Sequence, residues 1–246
     1  MSSTGAPLGQ TTQLWKTWDE KANKHGPRKT VFWVSGEQYR GEWVGNKKHG
    51  KGTMVYRNAD KYEGDWEEDF RSGLGVYWVY DNGRYKVRYN GVWASDLPHG
   101  EGVLFSEDGD VYQGEFQNGM RHGKGKQTYG GRADGFGGDI YEGWWDNDKR
   151  HGRGTLALAN GDIFEGTWSN DQREGPGTFY FMSENKRYDG VWKEDRPRCG
   201  EYSEIEDTGP GSRTALPVLE LAEWRKVIDK ARDGVLRTVE GGARSP

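Results

Sequence analysis

A single cysteine, Cys199, stands in a chain of 246 residues, so no internal disulfide can staple it, and a reducing, cytosol-like compartment is expected. Long apolar runs are missing too: nothing approaches the roughly 20 consecutive apolar residues of a membrane-spanning helix. The first seven residues, Met1 to Pro7, hold no basic stretch leading into an apolar one, so no secretory leader is expected. Neither sign of charge dominates, with 35 basic against 39 acidic residues and a net charge of -4, which gives no reason to expect nucleic acid as a partner. Apolar residues are scarce as well, 32% against 30% charged. That balance alone would suit a chain without a core.

What the chain does have is glycine, 39 residues of it, and large rings: 12 Trp, 13 Tyr and 8 Phe. Each ring can bury a large apolar area. Rings and glycines recur together. A Tyr or Phe, a Gly two residues on and a Trp or Phe two further on form Tyr39-Gly41-Trp43, Tyr62-Gly64-Trp66, Tyr89-Gly91-Trp93, Tyr112-Gly114-Phe116, Tyr141-Gly143-Trp145, Phe164-Gly166-Trp168 and Tyr188-Gly190-Trp192. In the first six units a Gly-x-Gly follows, at 50/52, 73/75, 100/102, 123/125, 152/154 and 175/177. Successive units start 23, 27, 23, 29, 23 and 24 residues apart, the long intervals being insertions near 78–88 and 128–138.

Each unit reads as a β-hairpin. The x-Tyr-x-Gly-x-Trp segment has the period of a half-buried strand, six polar residues such as Val44 to His49 are expected to form the turn, and Gly-x-Gly opens the return strand. Glycine weakens a strand, so glycines at fixed places imply close approach by something bulky, most simply a neighbouring ring. A lone hairpin is marginal in water, so the units must stack and share their core. The expected fold is all-β: a single-layer, elongated, twisted antiparallel sheet on the order of 70 Å long. Such a sheet offers an extended docking surface rather than a pocket.

Tyr62-Glu63-Gly64-Asp65-Trp66 and Tyr141-Glu142-Gly143-Trp144-Trp145, each followed by Gly-x-Gly, resemble the MORN (membrane occupation and recognition nexus) repeat, and the resemblance covers about 39–202. The seventh unit departs from it: where Gly-x-Gly is expected the chain reads Arg198-Cys199-Gly200-Glu201, as though Cys199 occupied a glycine place. Before the first unit, Leu14 to Trp18 followed by Lys24-His25-Gly26 echoes Trp43 and Lys48-His49-Gly50, so 14–38 reads as a degenerate half-repeat behind a flexible 1–13. After the array, 203–216 reads as an acidic, Gly- and Pro-containing linker. In 217–239, Leu221, Trp224, Ile228, Ala231 and Val235 have helical spacing, which predicts a C-terminal amphipathic helix ahead of a frayed 240–246. That helix either covers the last strand edge or docks on a partner.

Chemical candidates are few. His49, His99, His122 and His151 each precede the first Gly of a Gly-x-Gly, so repeat structure accounts for them better than a metal site does. Gly45 to Gly52 approaches a phosphate-binding loop, but Gly52 stands where its closing Ser or Thr is needed, and no strand-then-helix context surrounds it. The 44 residues after Tyr202 are too few for an appended catalytic domain. No catalytic residue, cofactor or metal is therefore expected. In the turns basic and acidic residues nearly balance, which argues against a lipid-binding polybasic stripe. Lys47, Lys48 and Lys51, and likewise Lys149, Arg150 and Arg153, remain locally basic and could meet an anionic partner.

The function expected from composition and spacing is that of a non-enzymatic scaffold binding other polypeptides along its sheet. Partner-binding residues are expected among Tyr39, Trp43, Tyr62, Trp66, Tyr141, Trp145, Phe164, Trp168, Leu221, Trp224 and Ile228. The family resemblance adds a setting, because relatives of this family occur in motile cilia and flagella, radial spokes included. It implies a cytoskeletal protein of the ciliary or flagellar axoneme, bound to helical segments or spoke subunits, with homodimerisation open. The alternatives are a module for anionic membranes or phosphoinositides and a soluble regulatory adaptor in spermatogenesis.

Overall fold

Alternation of rings and glycines with polar residues produces strands buried on one face, and the computed structural model, which describes residues 21–130 and 138–205, contains fifteen of them. They are β1 (Gly26–Phe32), β2 (Gln38–Val44), β3 (Lys47–Val55), β4 (Lys61–Glu67) and β5 (Phe70–Asp81). Next come β6 (Arg84–Ala94), β7 (Leu97–Phe105), β8 (Val111–Gln117), β9 (Met120–Thr128) and β10 (Ile140–Asp146). The last five are β11 (Lys149–Ala157), β12 (Ile163–Ser169), β13 (Gln172–Phe181), β14 (Lys186–Lys193) and β15 (Arg196–Glu204). All belong to one open antiparallel sheet whose strand order is the chain order. The all-β sheet of stacked hairpins is thus observed, while the 217–239 helix and Leu14 to Trp18 lie outside the described residues.

The hairpin turns are shorter than the six residues expected. Pairing continues through Trp43↔Lys48 and Val44↔Lys47, leaving a two-residue turn at Gly45-Asn46 with φ of 55° and 67°. Positive φ at both central residues is the type I′ geometry that matches strand twist. The same geometry recurs at Glu68-Asp69, Ser95-Asp96, Asn118-Gly119, Asn147-Asp148, Asn170-Asp171 and Glu194-Asp195. Four of the six polar residues are strand because a type I′ turn needs no more than two.

The glycines line up across the sheet. Gly41 pairs with Gly52, Gly52 with Gly64 and Gly64 with Gly75, and the row runs unbroken to Gly190↔Gly200. Rings demand it: a Cβ on Gly52 would lie 2.2 Å from the Tyr39 hydroxyl and 2.5 Å from its Cζ. The first glycine of each Gly-x-Gly has a different task. Gly50 (φ +58°) sits in a β-bulge, where the register jumps between Gly41↔Gly52 and Glu42↔His49.

The seventh hairpin forms, one residue shorter. Gly200, not Cys199, takes the glycine place opposite Gly190, and Cys199 faces Val191 on the exposed last strand. Of the insertions, the first lengthens β5 and β6 into a taller hairpin turning at Asn82-Gly83 (φ 47° and 83°), and the second contains residues 131–137, outside the described residues. At the other end β1 pairs with β2, setting Arg28 opposite Gly41, so the glycine row stops there. Among the described residues β1 and β15 each have one unpaired edge.

Candidate partner-binding surface

The two faces of this sheet differ in kind. On the front, Tyr39 lies flat on Gly41 and Gly52 between Trp43 of its own hairpin (centroids 5.1 Å apart, planes at 88°) and Trp66 of the next (5.4 Å, 83°). This edge-to-face contact is the favourable one for aromatic quadrupoles. It repeats from unit to unit as far as Phe164 and Trp192 (5.2 Å, 78°). Polar ends of the rings in the middle units are satisfied in a repeating way, while the indole N–H groups of Trp43 and Trp192, in the first and last units, are buried without a partner among the described residues. Tyr62 donates its hydroxyl to the Asp65 carbonyl at 3.0 Å. Trp66 donates its indole N–H to the Gly52 carbonyl at 3.1 Å. Burial raises the hydroxyls of Tyr39, Tyr62, Tyr89, Tyr112 and Tyr141 above the ordinary phenol range.

A cation covers each indole. The Arg71 guanidinium lies 4.2 Å from the Trp93 ring centroid, Arg121 4.3 Å from Trp145, Arg150 4.3 Å from Trp168 and Arg173 4.4 Å from Trp192. Each is held by the second turn residue of the following unit. Arg71 donates its backbone N–H and Nε to the Asp96 carboxylate (2.8 and 3.0 Å) and Nη2 to the Asp96 carbonyl (2.8 Å). Arg121 with Asp148, Arg150 with Asp171 and Arg173 with Asp195 repeat the clasp. Where the third unit has Pro98 instead of a cation, the next turn has Gly119 instead of Asp, and the backbone bond Gly119 N–H to Pro98 C=O (2.8 Å) remains. At the opposite end of the hairpins, Asp60, Asp110, Asp139 and Asp162 each accept an N–H from the next unit, from Tyr80, Gly130, Ala159 and Met182.

The back face carries the alternate residues. Beside the glycines it runs through Arg40, Thr53, Glu63 and Val76, and farther along through Lys126, Glu142, Thr155 and Glu165. Burial raises the Glu142 carboxyl above the usual carboxylate range, with Lys126 opposing the shift. A second row holds the residue between Gly and Trp: Glu42, Asp65, Val92, Glu115, Trp144, Thr167 and Val191. Glu42, Asp65 and Glu115 turn their carboxylates onto the bulge and accept N–H from Lys51, Leu74 and Lys124 (3.3, 3.0 and 3.0 Å).

Tyr39, Trp43, Tyr62, Trp66, Tyr141, Trp145, Phe164 and Trp168 are all at most 4% exposed. These eight rings are core, not an open contact face, because glycine lets them sink against the backbone and the next unit covers them. Leu221, Trp224 and Ile228 lie outside the described residues. Most of the basic candidates are already engaged within the sheet: Lys47 with Glu68, Lys48 with Asp69, Lys51 with Asp65 and Arg150 with Asp171. Lys149 and Arg153 are exposed and make no ion pair among the described residues. The sequence reading missed the clasps, although their signal is there as a cation five residues after the Trp and an Asp three after the next.

A MORN repeat profile matches residues 39–61, 62–84, 89–111, 112–137, 141–163 and 164–186, more than half of the chain. The chain belongs to the MORN-repeat family. The MORN hairpin at 188–202 falls outside the matched segments yet continues the same sheet and glycine row. Curated proteins similar to parts of the chain are MORN repeat-containing protein 3 of Xenopus laevis, 43% identical over 28% of this chain and 29% of that protein, and of Mus musculus, 64% identical over 16% of each. The Homo sapiens protein of that name is 51% identical over 18% of each. These alignments span less than a third of the relatives' own length. Among solved structures, the TCP10 domain of Danio rerio CPAP in complex with a peptide of Danio rerio STIL is similar over 66% of this chain and 68% of that one, at 13% identity and a TM-score of 0.36.

Proposed function

We propose that this MORN-repeat protein is a non-enzymatic scaffold that holds other polypeptides along its sheet, and that it does so in the ciliary or flagellar axoneme, with the radial spoke as first assignment. The observation that carries the scaffold reading is the division of labour between the faces. Front-face rings, glycines and clasps are consumed in joining one hairpin to the next, which stiffens the sheet, while the back face varies from unit to unit and stays open. The axonemal setting rests on the family resemblance. A membrane role is weakened by the pairing of Lys47, Lys48 and Lys51 with carboxylates, since neutralised lysines add little attraction to anionic lipid.

Fractionation of demembranated axonemes followed by cross-linking mass spectrometry tests the assignment. Retention with the axoneme and cross-links from back-face lysines to spoke subunits are expected. Recovery in the detergent-soluble fraction would favour a soluble adaptor instead. Salt-sensitive co-sedimentation with phosphatidylserine vesicles, lost on neutralising Lys47, Lys48 and Lys51, would favour the membrane reading.

A further inference from the structure

A repeat makes its own departures visible, and the fifth unit has one on the back face. In three of the first four units the residue between Gly and Trp is acidic. Its carboxylate lies over the first glycine of Gly-x-Gly, with Glu42 Oε2 2.5 Å from where a Gly50 Cβ would stand, and accepts the amide N–H that follows that glycine. In the fifth unit Trp144 takes this place. Its Cβ lies 3.4 Å from the Cβ position of Gly152, so the indole rises from the same bulge, and the residue is 47% exposed in a protein whose repeat Trp residues are all buried. No carboxylate is left for the Arg153 amide, which meets no side-chain acceptor among the described residues.

The charges around Trp144 are left unanswered in the same way. In the first hairpin Lys51 reaches across to Asp65 at 2.6 Å. The equivalent Lys124 finds Trp144 opposite it and lays its ammonium 5.4 Å from that ring's centroid. Arg153, one hairpin on, faces Thr167, whose hydroxyl already donates to the Glu174 and Pro176 carbonyls. Neither Lys124 nor Arg153 makes an ion pair among the described residues, and the neighbouring Glu115 carboxylate is committed to the Lys124 amide. An exposed indole, two uncompensated cations and a bulge stripped of its usual carboxylate therefore converge on one spot.

We propose that Trp144, Lys124 and Arg153 form a docking site for an acidic polypeptide segment of a partner, whose Asp or Glu side chains pair with the two cations and whose apolar neighbour rests on the indole. Charge complementarity selects the occupant, the two cations beside the indole calling for carboxylates. The inference rests on the scaffold reading and is independent of the axonemal setting.

The test uses the full chain and a fluorescein-labelled peptide of repeated Glu-Glu-Leu, read by fluorescence polarisation, with repeated Gln-Gln-Leu as the uncharged control. The glutamate peptide is expected to bind and the glutamine peptide to bind at least about tenfold more weakly, a difference of about 1.4 kcal/mol. Trp144→Glu restores the built-in carboxylate, so it should keep or raise the thermal midpoint while weakening peptide binding by about tenfold or more. Should that variant fold poorly, Arg153→Gln gives the same readout without touching the strand register. Undiminished binding of the glutamate peptide to both variants, no binding to the wild-type chain, or Trp144-dependent binding of phosphatidylserine vesicles in place of peptide would overturn the proposal. Peptide binding by a protein absent from axonemes would retain this site and discard the axonemal assignment.

Discussion

The front and back faces of the sheet are made of the same fifteen strands, yet the front is nearly the same in every unit while the back varies, apart from the bulge carboxylate that Glu42, Asp65 and Glu115 share. Every front position is constrained from two sides, by its own hairpin and by the next: Tyr62 touches Trp66 and Trp93, lies on Gly64 and Gly75, and is roofed by Arg71. Back positions meet their cross-strand neighbours and then solvent. Fold information is therefore concentrated on one face, which frees the other to vary with the partner.

The largest effect that would break this contrast comes from alkali, which acts on all units at once. Buried front-face tyrosines have raised pKa values, so their neutral forms stabilise the fold fully below the ordinary phenol pKa of about 10 and progressively less as pH rises above it, by up to about 1.4 kcal/mol per pH unit for each tyrosine. Absorbance at 295 nm should show exposed tyrosines such as Tyr202 titrating first and the buried set ionising abruptly, together with loss of the β-sheet circular dichroism. Next in size, Trp93→Ala removes a ring packed on Tyr62 and Tyr89 and the N–H bond to the Gly75 carbonyl; denaturant titration should show a loss of about 3–5 kcal/mol. Gly75→Ala adds one methyl whose carbon would lie 2.2 Å from the Tyr62 hydroxyl, and about 2–3 kcal/mol should be lost by the same measurement.

Smaller effects sharpen the boundary between the faces. Asp148→Asn keeps a residue that tolerates the positive φ of 66° and removes the charge that holds Arg121 over Trp145; the pair is partly exposed, so about 0.5–1 kcal/mol is expected, shrinking as salt is raised. On the back face Thr155→Ala should change stability by no more than about 0.5 kcal/mol. A back-face loss as large as that of Gly75→Ala would erase the distinction.

Much of the front was legible because rings and glycines recur at fixed spacing, and periodic sequence maps directly onto stacked strands. The turns were misread because polarity was taken to mean loop, when Lys48 and His49 are half-buried strand residues and Lys48 lies over the Trp66 ring. Placing Gly200 rather than Cys199 opposite Gly190 required pairing, since the seventh hairpin is one residue shorter than the spacing of the other six. Arg71 and Asp96 are 25 residues apart, so their clasp becomes visible when whole units are aligned and not within any one of them. The eight rings expected at a partner surface turned out to be core for a related reason: a strand pattern tells which face a ring occupies, not whether the next hairpin covers it. Trp144 stood out in neither respect, being one more Trp in a Trp-rich repeat until its face was known.

Hydroxyl-radical footprinting read by mass spectrometry tests the two-faced sheet most directly. The account predicts rapid modification of Trp144 and Tyr202 and strong protection of Tyr39, Trp66, Tyr141 and Trp168 in the same sample. Equal modification of the two sets would contradict it.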